Sequence, residues 1–114
     1  MLDVKPTPSP TLPGAAPVFA ALGDTTRLEL VIRMSDLQPR SIAQLTRGLA
    51  QTRQSISKHL AVLERAGVVV SRRQGRENRY SLEPDGIEPA RHFLERASAQ
   101  WDDAIRRLKA FVEE

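Results

Sequence analysis

A mainly α fold with a single β-hairpin, the winged helix-turn-helix, is what this sequence predicts, and three observations carry the prediction. A short helix over residues 41–48, a tight turn and a longer helix over 52–66 follow one another. Gly67 ends the second of these helices, and Val68, Val69 and Val70 open an extended run that passes through a basic turn to Tyr80 and Leu82. Finally, apolar residues recur at steps of three and four from Phe93 to Val112, a stripe longer than a small domain needs for its own core.

The chain has 114 residues, enough for one domain with a short tail. Hydrophobic residues make up 40% and aromatic residues only 4%, as suits a soluble helical protein with an aliphatic core. The net charge of +3 is unevenly spread. Residues 47–79 hold Arg47, Arg53, Lys58, Arg65, Arg72, Arg73, Arg76 and Arg79 against Glu64 and Glu77, while the remainder is net acidic. A positive middle between acidic flanks points to a polyanionic partner. There is no cysteine, which excludes disulfides, thiolate metal sites and a cysteine nucleophile, and fits a cytoplasmic location. No apolar run approaches the roughly 18 residues of a membrane span, and the N-terminus does not read as a signal peptide. No membrane partner is expected.

Residues 1–15, with Pro6, Pro8, Pro10 and Pro13, read as a flexible arm, and residues 16–114 as the folded domain. Pro17 is placed in the first turn of a helix through Phe19 and Leu22. Asp24 or Thr25 caps the next helix, whose apolar side is Leu28, Leu30, Val31 and Ile32. After a loop from Ser35 to Pro39, Ser41 caps the short helix.

Thr52 caps the longer helix, and Ile56, Leu60 and Leu63 define its buried stripe. Thr52, Arg53, Gln54, Ser55, Ser57 and Lys58 crowd its first turns away from that stripe. In a helix-turn-helix these turns enter the major groove of DNA. Arg and Gln suit bidentate contact with guanine and adenine edges; Ser, Lys and the free N–H groups of the helix start suit phosphates. The hairpin, with its turn centred on Gln74–Gly75, presents Arg72, Arg73, Arg76 and Arg79 to the minor groove and backbone. Double-stranded DNA is therefore the expected partner. His59 has no acid at a useful spacing, so a phosphate or packing role is expected of it, and no catalytic residue is assigned. The protein is not expected to be an enzyme.

The last helix is expected over about residues 88–112, with Pro89 in its first turn. Phe93, Leu94, Trp101, Ile105, Leu108 and Phe111 are assigned to a homodimer seam, together with Phe19 and Leu22 of the first helix. A two-fold dimer sets two reading helices on successive major grooves, as a palindromic operator requires.

Read in order, FAALGDTTRLELV, SIAQLTRGLAQTRQSISKHLAVLERAGVVVSRRQGRENRYSL and WDDAIRRLKAFVE resemble the ArsR/SmtB family of winged-helix repressors over roughly residues 18–112. The resemblance is to a cysteine-free, metal-independent branch. It implies a homodimer that represses promoters, often its own. It also places DNA reading on Arg53, Gln54, Ser55, Ser57, Lys58 and His59, and wing contacts on Arg72, Arg73, Arg76 and Arg79. Family members that sense soft metals carry a cysteine pair before the reading helix, where this chain has SIAQLTRG. Others use carboxylates and histidines of the last helix, where His92 and Glu95 stand between Arg91 and Arg96. No metal site and no cofactor are assigned. Two other readings differ in the partner. One is a winged helix that binds a protein, against which the four-arginine wing argues. The other is a regulator gated by an unknown small organic effector between the long helices, near Phe93, Trp101 and Phe111.

Overall fold

A computed structural model describes residues 11–113 of the chain. Five helices and three strands follow in the order α1 (Thr11–Leu22), α2 (Thr25–Arg33), β1 (Arg40–Ser41), α3 (Ile42–Thr46), α4 (Arg53–Arg65), β2 (Val69–Gln74), β3 (Glu77–Leu82) and α5 (Pro84–Val112). The strands form one antiparallel sheet in the order β1-β3-β2. This is the mainly α, winged architecture expected from the sequence.

The core lies where α2, α3 and α4 meet the base of the hairpin. Leu30, Met34, Leu45, Ile56, Leu60, Leu63 and Val68 are fully buried there, with Tyr80 closing the sheet side. In α4 the buried positions are Ile56, Leu60 and Leu63, the stripe that their spacing predicts. Burial also pushes the Tyr80 phenol above its usual range.

Caps set where these helices begin. Asp24 accepts from the Arg27 backbone N–H at 3.0 Å, and that bond holds the Asp24 carboxyl below its usual range. Ser41 and Gln44 form a reciprocal box: Ser41 Oγ accepts from the Gln44 N–H at 3.2 Å, and the Gln44 side chain accepts from the Ser41 N–H at 2.9 Å. Ser41→Ala removes one half of that box, and a loss of stability of about 1 kcal/mol is expected from urea titration.

Four sequence expectations are corrected. First, α1 starts at Thr11, so Pro17 is interior to the helix and not in its first turn, and the end of the expected arm is helical. Residues 1–10, the rest of that arm, lie outside the described residues. Tertiary contact outweighs local composition here: Ala15, Val18 and Ala21 are buried, and Gly14 approaches Pro89 of α5 so closely that an added Cβ is 3.2 Å from the Pro89 Cβ. Second, residues 40–41 form an edge strand paired with Tyr80 and Arg79, too short for any alternation to reveal. Its first residue, Arg40, holds Asp36 by two hydrogen bonds of 2.7 and 2.5 Å, which keeps the Asp36 carboxyl well below the usual carboxylate range.

Third, Gln74 pairs with Glu77, so the hairpin turn is centred on Gly75–Arg76, one residue later than expected. Gly75 carries the positive φ of 65° that a two-residue hairpin loop asks of its first central residue. Fourth, α5 begins at Pro84, a turn earlier than expected. Glu83 caps it, accepting from the Asp85 N–H at 3.3 Å, and Pro84 stands at the first helical position, where no N–H is needed. Pro89 is consequently interior.

Candidate nucleic-acid interface

The helix-turn-helix is α3, a turn through residues 47–52, and α4. Gly48 takes a φ of 79° in that turn, and Leu49 donates its N–H to the Thr46 carbonyl at 2.9 Å. Arg33 of α2 steadies it from behind, donating to the carbonyls of Leu45 and Arg47. Thr52 then caps α4, its Oγ1 accepting from the Ser55 N–H at 3.1 Å. The expected cap is therefore present.

The polar residues of the first turns of α4 divide into two groups. Arg53, Gln54 and Lys58 are exposed, Ser57 is half-buried, and no described residue pairs with their side chains. These are the groups free to meet a ligand. Ser55 and His59 turn inward instead. Ser55 Oγ donates to Gln51 Oε1 at 2.6 Å, and Gln51 Nε2 donates in turn to Thr26 Oγ1 of α2. His59 Nδ1 lies 3.1 Å from an Arg27 Nη1 and 3.7 Å from Asp24 Oδ2, and its side chain is only 21% exposed. The side chains of Ser55 and His59, assigned to DNA from the sequence, are occupied within the protein. Their spacing one turn apart puts both on the flank between the buried stripe and the outward face, and only the position of α2 decides such a case.

Strand register divides the wing arginines similarly. Arg72 faces Arg79 across the ladder, so the two share one face of the hairpin. Arg73 faces Asn78 on the other face, and Arg76 is at the turn. Arg79 Nε has no hydrogen-bond partner, while an Arg79 Nη sits 3.5 Å from Glu77 Oε2. Arg72, Arg73 and Arg76 are exposed. Two like charges placed directly opposite repel one another unless an anion lies between them.

Between the start of α4 and the wing runs a groove lined by Ser41, Ile42, Ala43, Arg53, Gln54, Glu77 and Asn78. Glu77 and Asn78 join Arg53 and Gln54 there, although residue type alone gives them no role in the sequence. The hairpin register is the signal that points to them, because residues just past the turn lie at the wing's working end. Among the described residues, no cluster of three or more His, Asp or Glu suits a metal ion, and no helix is long and apolar enough to cross a membrane.

A capped helix with free Arg, Gln and Lys in its first turns, backed by a short helix and flanked by an arginine-bearing hairpin, defines a DNA-binding regulator of the winged helix-turn-helix class. The helix-turn-helix domain family model matches residues 22–72. The chain is 42% identical over 83 residues to the uncharacterized regulator YuzN of Bacillus subtilis, covering 68% of this chain and 87% of that protein. It is 37% identical over 67 residues to the arsenical resistance operon repressor of Escherichia coli, covering 59% of this chain but only 57% of that repressor. Among solved structures, an ArsR-like transcriptional regulator from Rhodococcus superposes with a TM-score of 0.70 at 36% identity, covering 89% of this chain and 94% of its own. The protein belongs to the ArsR family of winged helix-turn-helix transcriptional regulators, here without any cysteine.

Proposed function

We propose that the protein binds a palindromic operator as a homodimer and represses transcription from it, its own promoter included. The observation that carries this reading is the exposure of one row of large apolar residues on α5: Leu94, Trp101, Ile105, Leu108 and Phe111 all lie between 55% and 76% exposed. A second copy that covers this row brings a second reading helix with it, and two-fold symmetry in the protein selects two-fold symmetry in the operator. Phe19 and Phe93 support the row from beneath, meeting edge to face at 5.6 Å within one protomer, and Leu22 is half-buried beside them. The α1–α5 contact thus forms the base on which the seam stands.

Within each half-site, Arg53 and Gln54 select bases, Ser57 and Lys58 hold phosphates beside them, and Arg72, Arg73, Arg76 and Arg79 supply affinity along the backbone. The pairing of Arg72 with Arg79 across one face supports this, since a phosphate relieves their repulsion. Arg53→Ala or Gln54→Ala is expected to lower operator preference about tenfold or more, with random-sequence binding retained. Arg73→Ala or Arg76→Ala weakens binding to every sequence and reduces the slope of log K against log salt by about 1. Gel shifts over a salt series measure both. A footprint on the gene's own upstream region tests the whole reading: two protected halves about one helical turn apart are expected, and an unprotected region at modest salt counts against it.

A further inference from the structure

We propose that His59 is a positioning residue that sets the reading helix through Arg27, and that it does not touch DNA. The proposal rests on the DNA-reading role of α4 proposed above. One arginine holds three elements together. The Arg27 Nε donates to the Ala21 carbonyl at the end of α1, its backbone N–H is tied to the Asp24 cap of α2, and its Nη1 lies 3.1 Å from His59 Nδ1 on α4. Because a guanidinium only donates, His59 Nδ1 is the acceptor in this contact. The bond is half-buried and charge-assisted, the kind whose loss is felt.

A second tie runs parallel to it, from Ser55 through Gln51 to Thr26. The N-terminal turn of α2 therefore grips α4 at two places one turn apart, Ser55 and His59. Those two places flank Ser57 and Lys58 and sit directly behind the exposed row that begins with Arg53 and Gln54. A helix held at two such points keeps its roll about its own axis, and roll decides whether Arg53 and Gln54 meet base edges or miss them. Arg27 also reaches α1, which packs on α5. It is the polar link between the helices proposed to pair two protomers and the helix proposed to read DNA.

Four proteins test this: wild type, His59→Asn, His59→Gln and His59→Leu. Asparagine sets its oxygen close to the position of Nδ1 and restores an acceptor for Arg27; glutamine reaches toward Nε2; leucine accepts nothing. Amide exchange over residues 53–58 of the free protein is expected to rise about tenfold in the Leu and Gln variants and to stay at the wild-type level in Asn. Operator affinity should follow the same order with a loss of about tenfold, while random-duplex binding and its salt dependence stay constant.

Arg27→Met, alone and combined with His59→Leu, completes a cycle in which the double variant loses no more than Arg27→Met alone, which also gives up the bond to Ala21. A His59 that contacts DNA itself gives the opposite pattern, normal exchange in the Leu variant and additive losses. Unaltered exchange in the Leu variant, or operator affinity that ignores it, overturns the proposal. If the wild type binds no operator, the function proposed above fails first and the positioning role falls with it; if it binds and the exchange is flat, the positioning role alone fails. Should the Leu variant not fold, the contrast between Asn and Gln decides.

Discussion

Gly86→Ala is expected to cost about 2–4 kcal/mol of stability. A Cβ built on Gly86 falls 1.7 Å from the Gly67 carbonyl oxygen and 2.6 Å from its carbon, and both are backbone atoms that no rotamer change can move aside. The first turn of α5 is pressed against the turn that ends α4. Glu83 reflects the same closeness, donating its N–H to the Val68 carbonyl at 2.9 Å. The contact viewed from Gly67 gives a different expectation. Gly67 has a φ of 80°, but a Cβ added there would meet nothing within 4 Å, so Gly67→Ala incurs only the left-handed backbone penalty of about 1 kcal/mol. Urea titration of the two variants separates steric overlap from backbone strain. A Gly86→Ala protein as stable as Gly67→Ala would mean that α5 can shift away from α4 at little cost.

That contact also shows why parts of the fold are legible in the sequence and parts are not. The elements whose partners are near in sequence are readable. Thr52 and Ser41 cap the helices they precede, and Ile56, Leu60 and Leu63 are buried at the spacing that marks them. Pro84, Asp85 and Gly86 have the composition of a turn, because composition records local preference only. The contact with Gly67, nineteen positions away, leaves no trace in composition, and it admits a glycine where it would not admit a Cβ. Pro17 and Pro89 likewise have the local character of helix starts, yet contacts between α1 and α5 carry each helix through its proline. In the candidate site, residue types single out α4 and the hairpin, because charge and capping are local properties. The inward turn of Ser55 and His59 toward α2 is not local, and it takes the positions of Thr26 and Arg27 to decide it.

Trp101→Glu combined with Ile105→Glu is expected to leave a protein that sediments as a monomer at micromolar concentration and binds the operator at least about a hundredfold more weakly. The reason lies in the unsupported half of α5. From Ser98 onward every described residue is exposed, and Trp101, Ile105 and Leu108 lie 71%, 61% and 64% open. A free stretch of about sixteen residues is marginal as a helix in water, so packing of its apolar face must supply what propensity does not. In the dimer proposed above, each large apolar side chain covered by the partner contributes about 1.5–3 kcal/mol, and several positions on each of two copies add up to a stable seam. Charges at 101 and 105 set like against like across a two-fold axis and remove that gain. Loss of far-ultraviolet helical signal should therefore accompany dissociation, as the end of α5 frays. Reading and wing residues stay intact in such a monomer, so random-sequence binding and its per-protomer salt dependence persist while the coupling of two half-sites is lost. A double variant that remains dimeric, or a monomer that keeps full operator affinity, would show that the exposed row serves some purpose other than joining two copies.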